Sequence, residues 1–119
     1  MLERKWRNIW CALKAIATTW REEPSFRVQM VVILLLYALA AYFRITLIEW
    51  MLLSLAFAAV VSTELINTAL ERIGNVFART NDPEIGLIKD LGTAAVCAIQ
   101  VGALLLIGII FVPHLIALL

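Results

Sequence analysis

Residues 45–63, ITLIEWMLLSLAFAAVVST, form an apolar run long enough to cross the hydrocarbon core of a bilayer as a helix, and this run decides the fold. Its one charged residue, Glu49, lies close enough to the start to reach the interface. The helical pattern continues through residues 64–80, ELINTALERIGNVFART, which contain no proline and a single glycine, Gly74. The sequence therefore predicts a spanning helix that projects out of the membrane at its C-terminal end.

Two further apolar runs lie on either side of this helix. The first is VQMVVILLLYALAAYF at residues 28–43, and the second starts at Leu91 and has no Asp, Glu, Lys or Arg to the end of the sequence. Of the 119 residues, 63% are hydrophobic, and the mean hydropathy is +0.93. A soluble domain is nearer half apolar. We therefore predict an all-α membrane protein forming a single domain over residues 1–119, with spans at about 28–43, 45–63 and 91–113.

The N-terminal segment predicts a different kind of helix. Its apolar residues recur at alternating steps of four and three, which is one stripe of a helix: Leu2, Trp6, Ile9, Leu13, Ile16 and Trp20. Basic residues occupy the other faces, so residues 1–23 are typical of an amphipathic helix lying in the headgroup plane. A helix packed on a soluble partner is the alternative. Pro24 ends this helix and restricts Glu23 to extended geometry, and residues 80–86, TNDPEIG, predict a loop.

The basic residues are segregated along the chain. Nine of the ten Lys and Arg residues lie in residues 4–27 or 72–89, and three spans place these two segments on the same side. By the positive-inside bias that side is the cytoplasm, so the N-terminus is predicted to be cytoplasmic. The net charge of +1 gives no electrostatic reason to expect nucleic acid as a partner. The two cysteines have no metal-ligand or disulfide-framework spacing.

A row of polar side chains at the cytoplasmic end of the second span points to function. Glu64, Asn67 and Glu71 lie at i, i+3 and i+7, within about 60° of one another on a helix face. Ionisable groups at membrane depth are costly, and they usually face the protein interior and mark a functional site. The alternative is that these glutamates are solvated at the interface or pair with Arg72 or Arg27.

The residue types in this row suit phosphate chemistry. Carboxylates with an amide are hard oxygen ligands for Mg²⁺, which typically takes one or two carboxylates together with substrate phosphates. Two other turns at the cytoplasmic side of the membrane add the pair Glu22/Glu23 and the pair Lys89-Asp90. A lysine can bind phosphate oxygens as a point charge. A carboxylate at the bilayer boundary can reach a lipid hydroxyl. With no P-loop or protein-kinase motif in the sequence, the pattern indicates nucleotide–Mg²⁺ meeting a lipid alcohol.

Three stretches resemble a known family. ELINTALE at residues 64–71, KDLGTAAV at 89–96 and EEPSFR at 22–27 look like the bacterial membrane diacylglycerol kinases, which include undecaprenol kinases. The resemblance covers nearly the whole chain. It implies a homotrimeric bundle in the bacterial inner membrane that transfers the γ-phosphoryl of MgATP to a lipid hydroxyl.

The resemblance also implies roles for individual residues. Glu64 matches the catalytic base and Asn67 the active-site asparagine, while Glu23 and Glu71 match the Mg²⁺-coordinating carboxylates. The positions that match nucleotide contacts are Arg4, Glu23, Glu71, Thr80, Asn81, Asp82, Lys89 and Asp90. The positions that match the lipid site are Phe26, Arg27, Glu64 and Thr93. Two departures, Asn75 where an acidic residue is common and Cys11 where some members have an aromatic residue, affect nucleotide contacts and remove no metal ligand.

The expected activity is an ATP-dependent diacylglycerol kinase that produces phosphatidic acid. Undecaprenol is the alternative acceptor within the same family, because both lipids present one hydroxyl at the interface. Alternatives of another class are a small transporter subunit with Glu64 as its ion site and a structural membrane partner without chemistry. A transporter would place its ionisable residues near the bilayer midplane, whereas the row predicted here lies at one end.

Overall fold

In the computed structural model, residues 1–77 and 82–119 are described, and all of their regular elements are helices. The helices are α1 (Leu2–Glu22), α2 (Pro24–Phe43), α3 (Leu47–Val76) and α4 (Pro83–Leu118). Each of the last three is long and apolar enough to cross a membrane. The predicted fold class is therefore confirmed: an all-helical chain with three spanning helices and one further helix at the N-terminus.

The chain divides into two compact units, residues 1–37 and residues 38–119, and α2 contributes to both. In the first unit, α1 ends where the sequence predicts a break. Glu23 is extended (φ −113°, ψ 100°), its N–H donates to the Thr19 carbonyl at 2.9 Å, and Pro24 begins α2. The apolar stripe of α1 is exposed, with Trp6 66% and Trp10 58% accessible. Its location on a membrane surface stays a prediction.

The second unit begins with a tight turn between α2 and α3. The Ile45 N–H donates to the Ala40 carbonyl and the Arg44 N–H donates to the Ala41 carbonyl, which is the Schellman pattern of helix termination. Arg44 has a φ of 51°, the left-handed conformation that this motif requires. The next helix is then started by a capping box in which Thr46 and Glu49 each bond the other's backbone N–H.

Helices α3 and α4 form an antiparallel hairpin. Lys89 bonds Asn75 near the connection, Gln100 bonds Glu64 further along, and His114 meets Glu49 at the far end, with 3.5 Å between His114 Nε2 and Glu49 Oε2. The His114 ring also stacks on Phe43 with the ring centroids 5.6 Å apart. The buried residues of the two helices recur at helical spacing: Leu53, Phe57 and Val60 on α3, and Val96, Ala103 and Ile110 on α4.

The start of α4 corrects one prediction. Residues 80–86 were expected to form a loop, but α4 begins at Pro83, with Asp82 as its N-cap accepting from the Glu84 N–H at 3.0 Å. Asp followed by Pro is found in turns and equally at helix starts, where Pro occupies the first position without losing a bond. Thr80 and Asn81 lie outside the described residues. At the other end α4 continues past Pro113 to Leu118.

Candidate active site

The polar row on α3 lies along one side of the hairpin in the second unit. Glu64, Asn67 and Glu71 are all half-buried, and the Asn67 Nδ2 donates to Glu71 Oε1 at 3.3 Å. Seven residues of helix separate the two carboxyl groups by about 10 Å along the axis. Residues 50–63, which precede Glu64, contain no charged side chain. Glu64 is therefore the member of the row closest to the apolar part of α3, and Glu71 is the one furthest from it.

The Asn67 amide packs against the backbone of α4 at Gly92. Gly92 is buried, and a Cβ placed on it would fall against Asn67 Oδ1 inside van der Waals contact. Asn67 Oδ1 is itself buried and accepts no hydrogen bond within the described part of the chain. Leaving a buried acceptor unpaired costs about 1–3 kcal/mol, so such an atom is a candidate acceptor for a ligand.

Glu64 has a partner that the sequence reasoning missed. Gln100, half-buried on α4, donates from Nε2 to Glu64 Oε1 at 3.3 Å. Between Thr93 and His114 it is the only residue with an amide, hydroxyl or charged side chain. A polar residue in such a run is by itself a sign of a functional site, and that signal could have identified Gln100 before the structure.

Lys89 lies at the same end of the hairpin as Glu71. Its Nζ donates to Asn75 Oδ1 at 2.6 Å, and its aliphatic stem passes over Gly74, where a Cβ would come within 2.6 Å of Lys89 Cε. Asn75 lies one helical turn beyond Glu71, so the ammonium group is held just outside the polar row. The neighbouring Asp90 and Thr93 are exposed, and the Thr93 hydroxyl donates to the Lys89 carbonyl at 3.1 Å.

Four predicted site residues belong to the first unit. Arg4 is exposed on α1, Glu23 is half-buried at the break between α1 and α2, and on α2 Phe26 is buried and Arg27 half-buried. Their part in the site stays a prediction, as does that of Asp82, which caps α4. The structure brings together Glu64, Asn67 and Glu71 on α3 with Lys89 and the Gly92 backbone on α4.

The polar row contains oxygen donors of the kind that fit Mg²⁺. Within residues 1–77 and 82–119, no group of three or more His, Cys, Asp or Glu side chains is placed to hold a metal ion. The row instead offers the Glu71 carboxylate beside the unpaired Asn67 Oδ1, both hard oxygen donors. One or two carboxylates completed by phosphate oxygens and water is the usual coordination of Mg²⁺ in phosphotransferases.

Comparison with known proteins identifies the family of this chain. The family model described as prokaryotic diacylglycerol kinase matches residues 10–111. The undecaprenol kinase of Bacillus subtilis (strain 168) is 27% identical over 114 residues, which cover 96% of this chain and 93% of that protein. The match includes both α3 with its polar row and the first turns of α4. The chain belongs to the prokaryotic diacylglycerol kinase family and is a multi-pass membrane lipid kinase.

Proposed function

We propose that this protein transfers the γ-phosphoryl group of MgATP to the hydroxyl of diacylglycerol, giving phosphatidic acid. The observation that carries this proposal is the order of groups along the α3–α4 hairpin. A carboxylate lies next to the apolar segment, and an amide, a second carboxylate and a lysine follow at increasing distance from it. A lipid hydroxyl and a nucleotide would approach such a site from opposite ends.

Glu64 is the proposed general base. Because it is the member of the row closest to the apolar part of α3, its carboxylate lies where the hydroxyl of a lipid embedded in the bilayer can reach it. As the oxygen of that hydroxyl bonds to the γ-phosphorus, its proton passes to the Glu64 carboxylate and the bond from phosphorus to the leaving ADP oxygen breaks. Phosphoryl transfer needs mainly positioning and charge neutralisation, so few protein groups suffice.

The outer end of the row is the proposed phosphate site. Lys89 would exchange its bond to Asn75 for one to a phosphate oxygen, where its positive charge offsets the phosphate charge. Glu71 and Glu23 would hold Mg²⁺, whose charge would offset that of the nucleotide phosphates, with Asn67 beside Glu71 in the site. Arg4, Thr80, Asn81, Asp82 and Asp90 complete the proposed nucleotide contacts, and Phe26, Arg27 and Thr93 those to the lipid.

The proposed setting for this chemistry is the cytoplasmic face of a bacterial inner membrane. The protein lies in the bacterial inner membrane with its N-terminus in the cytoplasm, where ATP is available, and α1 rests on that surface. It works as a homotrimer. The polar row is only half-buried in the single chain, and neighbouring subunits would cover it further.

Undecaprenol is the second candidate acceptor. The observation in its favour is the similarity over nearly the whole chain to the Bacillus subtilis protein named undecaprenol kinase. The hydroxyl of undecaprenol also lies at the membrane interface, so the same base and phosphate site would serve, with undecaprenyl phosphate as the product. The two lipids differ in what surrounds the hydroxyl.

The test is phosphate incorporation from labelled ATP in mixed micelles, with purified protein and each lipid assayed side by side. We expect the wild-type protein to incorporate label into diacylglycerol. Glu64→Gln should lose this activity while still binding nucleotide, and Glu71→Ala should lose the Mg²⁺-dependent activity. Glu84→Gln, an exposed acidic residue outside the site, is the matched control. Label in undecaprenol alone would select the second candidate, and no label in either lipid would overturn the proposed reaction.

A further inference from the structure

Gln100 presents an amide to Glu64 from the apolar part of α4. It lies ten residues beyond Asp90, about 15 Å along the helix, and its nearest neighbours in sequence are Ile99 and Val101. Burying an amide without a hydrogen-bond partner is costly. At this depth the Glu64 carboxylate is one partner that Gln100 meets, at 3.3 Å.

The direction of this hydrogen bond matters for Glu64. Gln100 donates through Nε2, and an ionised carboxylate can only accept. The bond therefore engages Oε1 and restrains the carboxyl group, and it leaves Oε2 able to accept from another donor. It also links the carboxylate on α3 to the neighbouring helix α4. Such support of a reacting group by a neighbouring polar side chain is a general requirement for precise catalysis.

We propose that Gln100 is the positioning residue for the Glu64 carboxylate: it holds Oε1 so that Oε2 accepts the proton of the lipid hydroxyl. This inference rests on the proposed function, because it concerns the same transfer. Gln100 itself touches neither nucleotide nor lipid in this mechanism. Its removal should therefore slow turnover without weakening nucleotide binding.

The competing explanation is that Glu64 merely satisfies a buried amide, so that the contact serves stability alone. The two explanations differ in an assay of Gln100→Leu, which removes both polar groups at similar volume. A positioning role predicts that kcat falls by about tenfold or more while the KM for MgATP stays within about twofold of wild type. Val101→Leu, a change of apolar volume at the next position of the same helix, is expected to retain wild-type turnover.

A double-mutant cycle distinguishes a positioning role of Gln100 from a role in stability alone. In a Glu64→Gln background there is no carboxylate base to orient, so adding Gln100→Leu should leave the residual rate unchanged within about twofold. A role in stability alone predicts that the second change multiplies the loss. If Gln100→Leu does not fold, Gln100→Met, of similar length and also without a donor, takes its place.

An NMR measurement on protein that keeps Gln100 tests the contact directly. The ¹⁵N side-chain amide resonance of Gln100 should shift in Glu64→Gln and stay in place in Glu84→Gln. An unshifted resonance, an unchanged kcat in folded Gln100→Leu or a multiplied loss in the cycle would each overturn the proposal. Failure of the proposed function looks different, because wild-type protein would then phosphorylate neither lipid.

Discussion

Glu71 is the residue whose charge should decide the response to metal. Its Oε1 already accepts from the Asn67 amide at 3.3 Å, and a glutamine would keep that contact length while losing the negative charge. Because Mg²⁺ binds through carboxylate oxygens, we expect Glu71→Gln to raise the free Mg²⁺ needed for half-maximal activity by about tenfold or more. Activity titrated against free Mg²⁺ measures this. An identical titration for Glu71→Gln and the control Glu84→Gln would exclude Glu71 as a ligand.

Gly92 is the residue that lets the two helices meet at Asn67. We expect Gly92→Ala to displace the Asn67 amide, lowering kcat and costing about 1–3 kcal/mol of stability, because the new Cβ would overlap Asn67 Oδ1. Gly102 on the same helix has no atom within 4 Å of a built Cβ, so Gly102→Ala should be neutral or stabilise by up to about 1 kcal/mol. Unfolding in detergent micelles and steady-state assays report both effects. Equal behaviour of the two variants would contradict the packing argument.

These residues also show what sequence reasoning can reach. The common face of Glu64, Asn67 and Glu71 follows from helical periodicity alone, and the structure has Asn67 and Glu71 hydrogen-bonded on it. The placement of Gln100 opposite Glu64, and of Gly92 opposite Asn67, depends on the axial register between α3 and α4. That register is set by the packing of residues such as Leu53 and Val96, which no periodicity of a single helix fixes.

At the scale of elements, the turn between α2 and α3 carries a backbone cost that can be removed. Arg44 has a φ of 51° at a position where glycine is usual. Relief of the left-handed conformation is worth about 1 kcal/mol, so we expect Arg44→Gly to raise the melting temperature in detergent. Arg44→Ala loses the same charge but keeps the Cβ, and it should bring no gain. Equal stability of the two variants would show that the charge, and not the backbone, governs this turn.

The starts of the helices differ in how well the sequence predicts them. The break at Pro24 could be predicted because proline restricts the residue before it, and Glu23 is extended as expected. At Pro83 the sequence predicts a loop where the helix begins, because Asp82 and Pro83 suit a turn and an N-cap equally well. What decides between them is the continuation of α4 toward Lys89, whose side chain packs on α3 over Gly74. This tertiary contact adds to the local Asp82 cap in favouring the helix there.

At the scale of the whole molecule, the residues proposed for the site lie far apart in the sequence. Glu23 lies in residues 1–37, whereas Glu64, Asn67 and Glu71 lie in residues 38–119. The carboxylates proposed to hold Mg²⁺ can therefore come from one subunit or from two neighbouring subunits. Head-to-tail contacts in a cyclic oligomer generate one such site at each interface.

Mixing two inactive variants distinguishes these arrangements. If each site takes Glu23 from one subunit and the α3 row from its neighbour, an equal, randomly reassociated mixture of Glu23→Ala and Glu64→Gln should recover about one quarter of wild-type activity, since about one site in four receives both intact residues. The control mixture, Glu64→Gln with Asn67→Ala, should recover nothing, because both residues lie on α3 and always enter a site together. Labelled phosphate in the lipid after reassociation measures both. If the first mixture shows no activity although crosslinking verifies reassociation, Glu23 and Glu64 of each site come from the same chain.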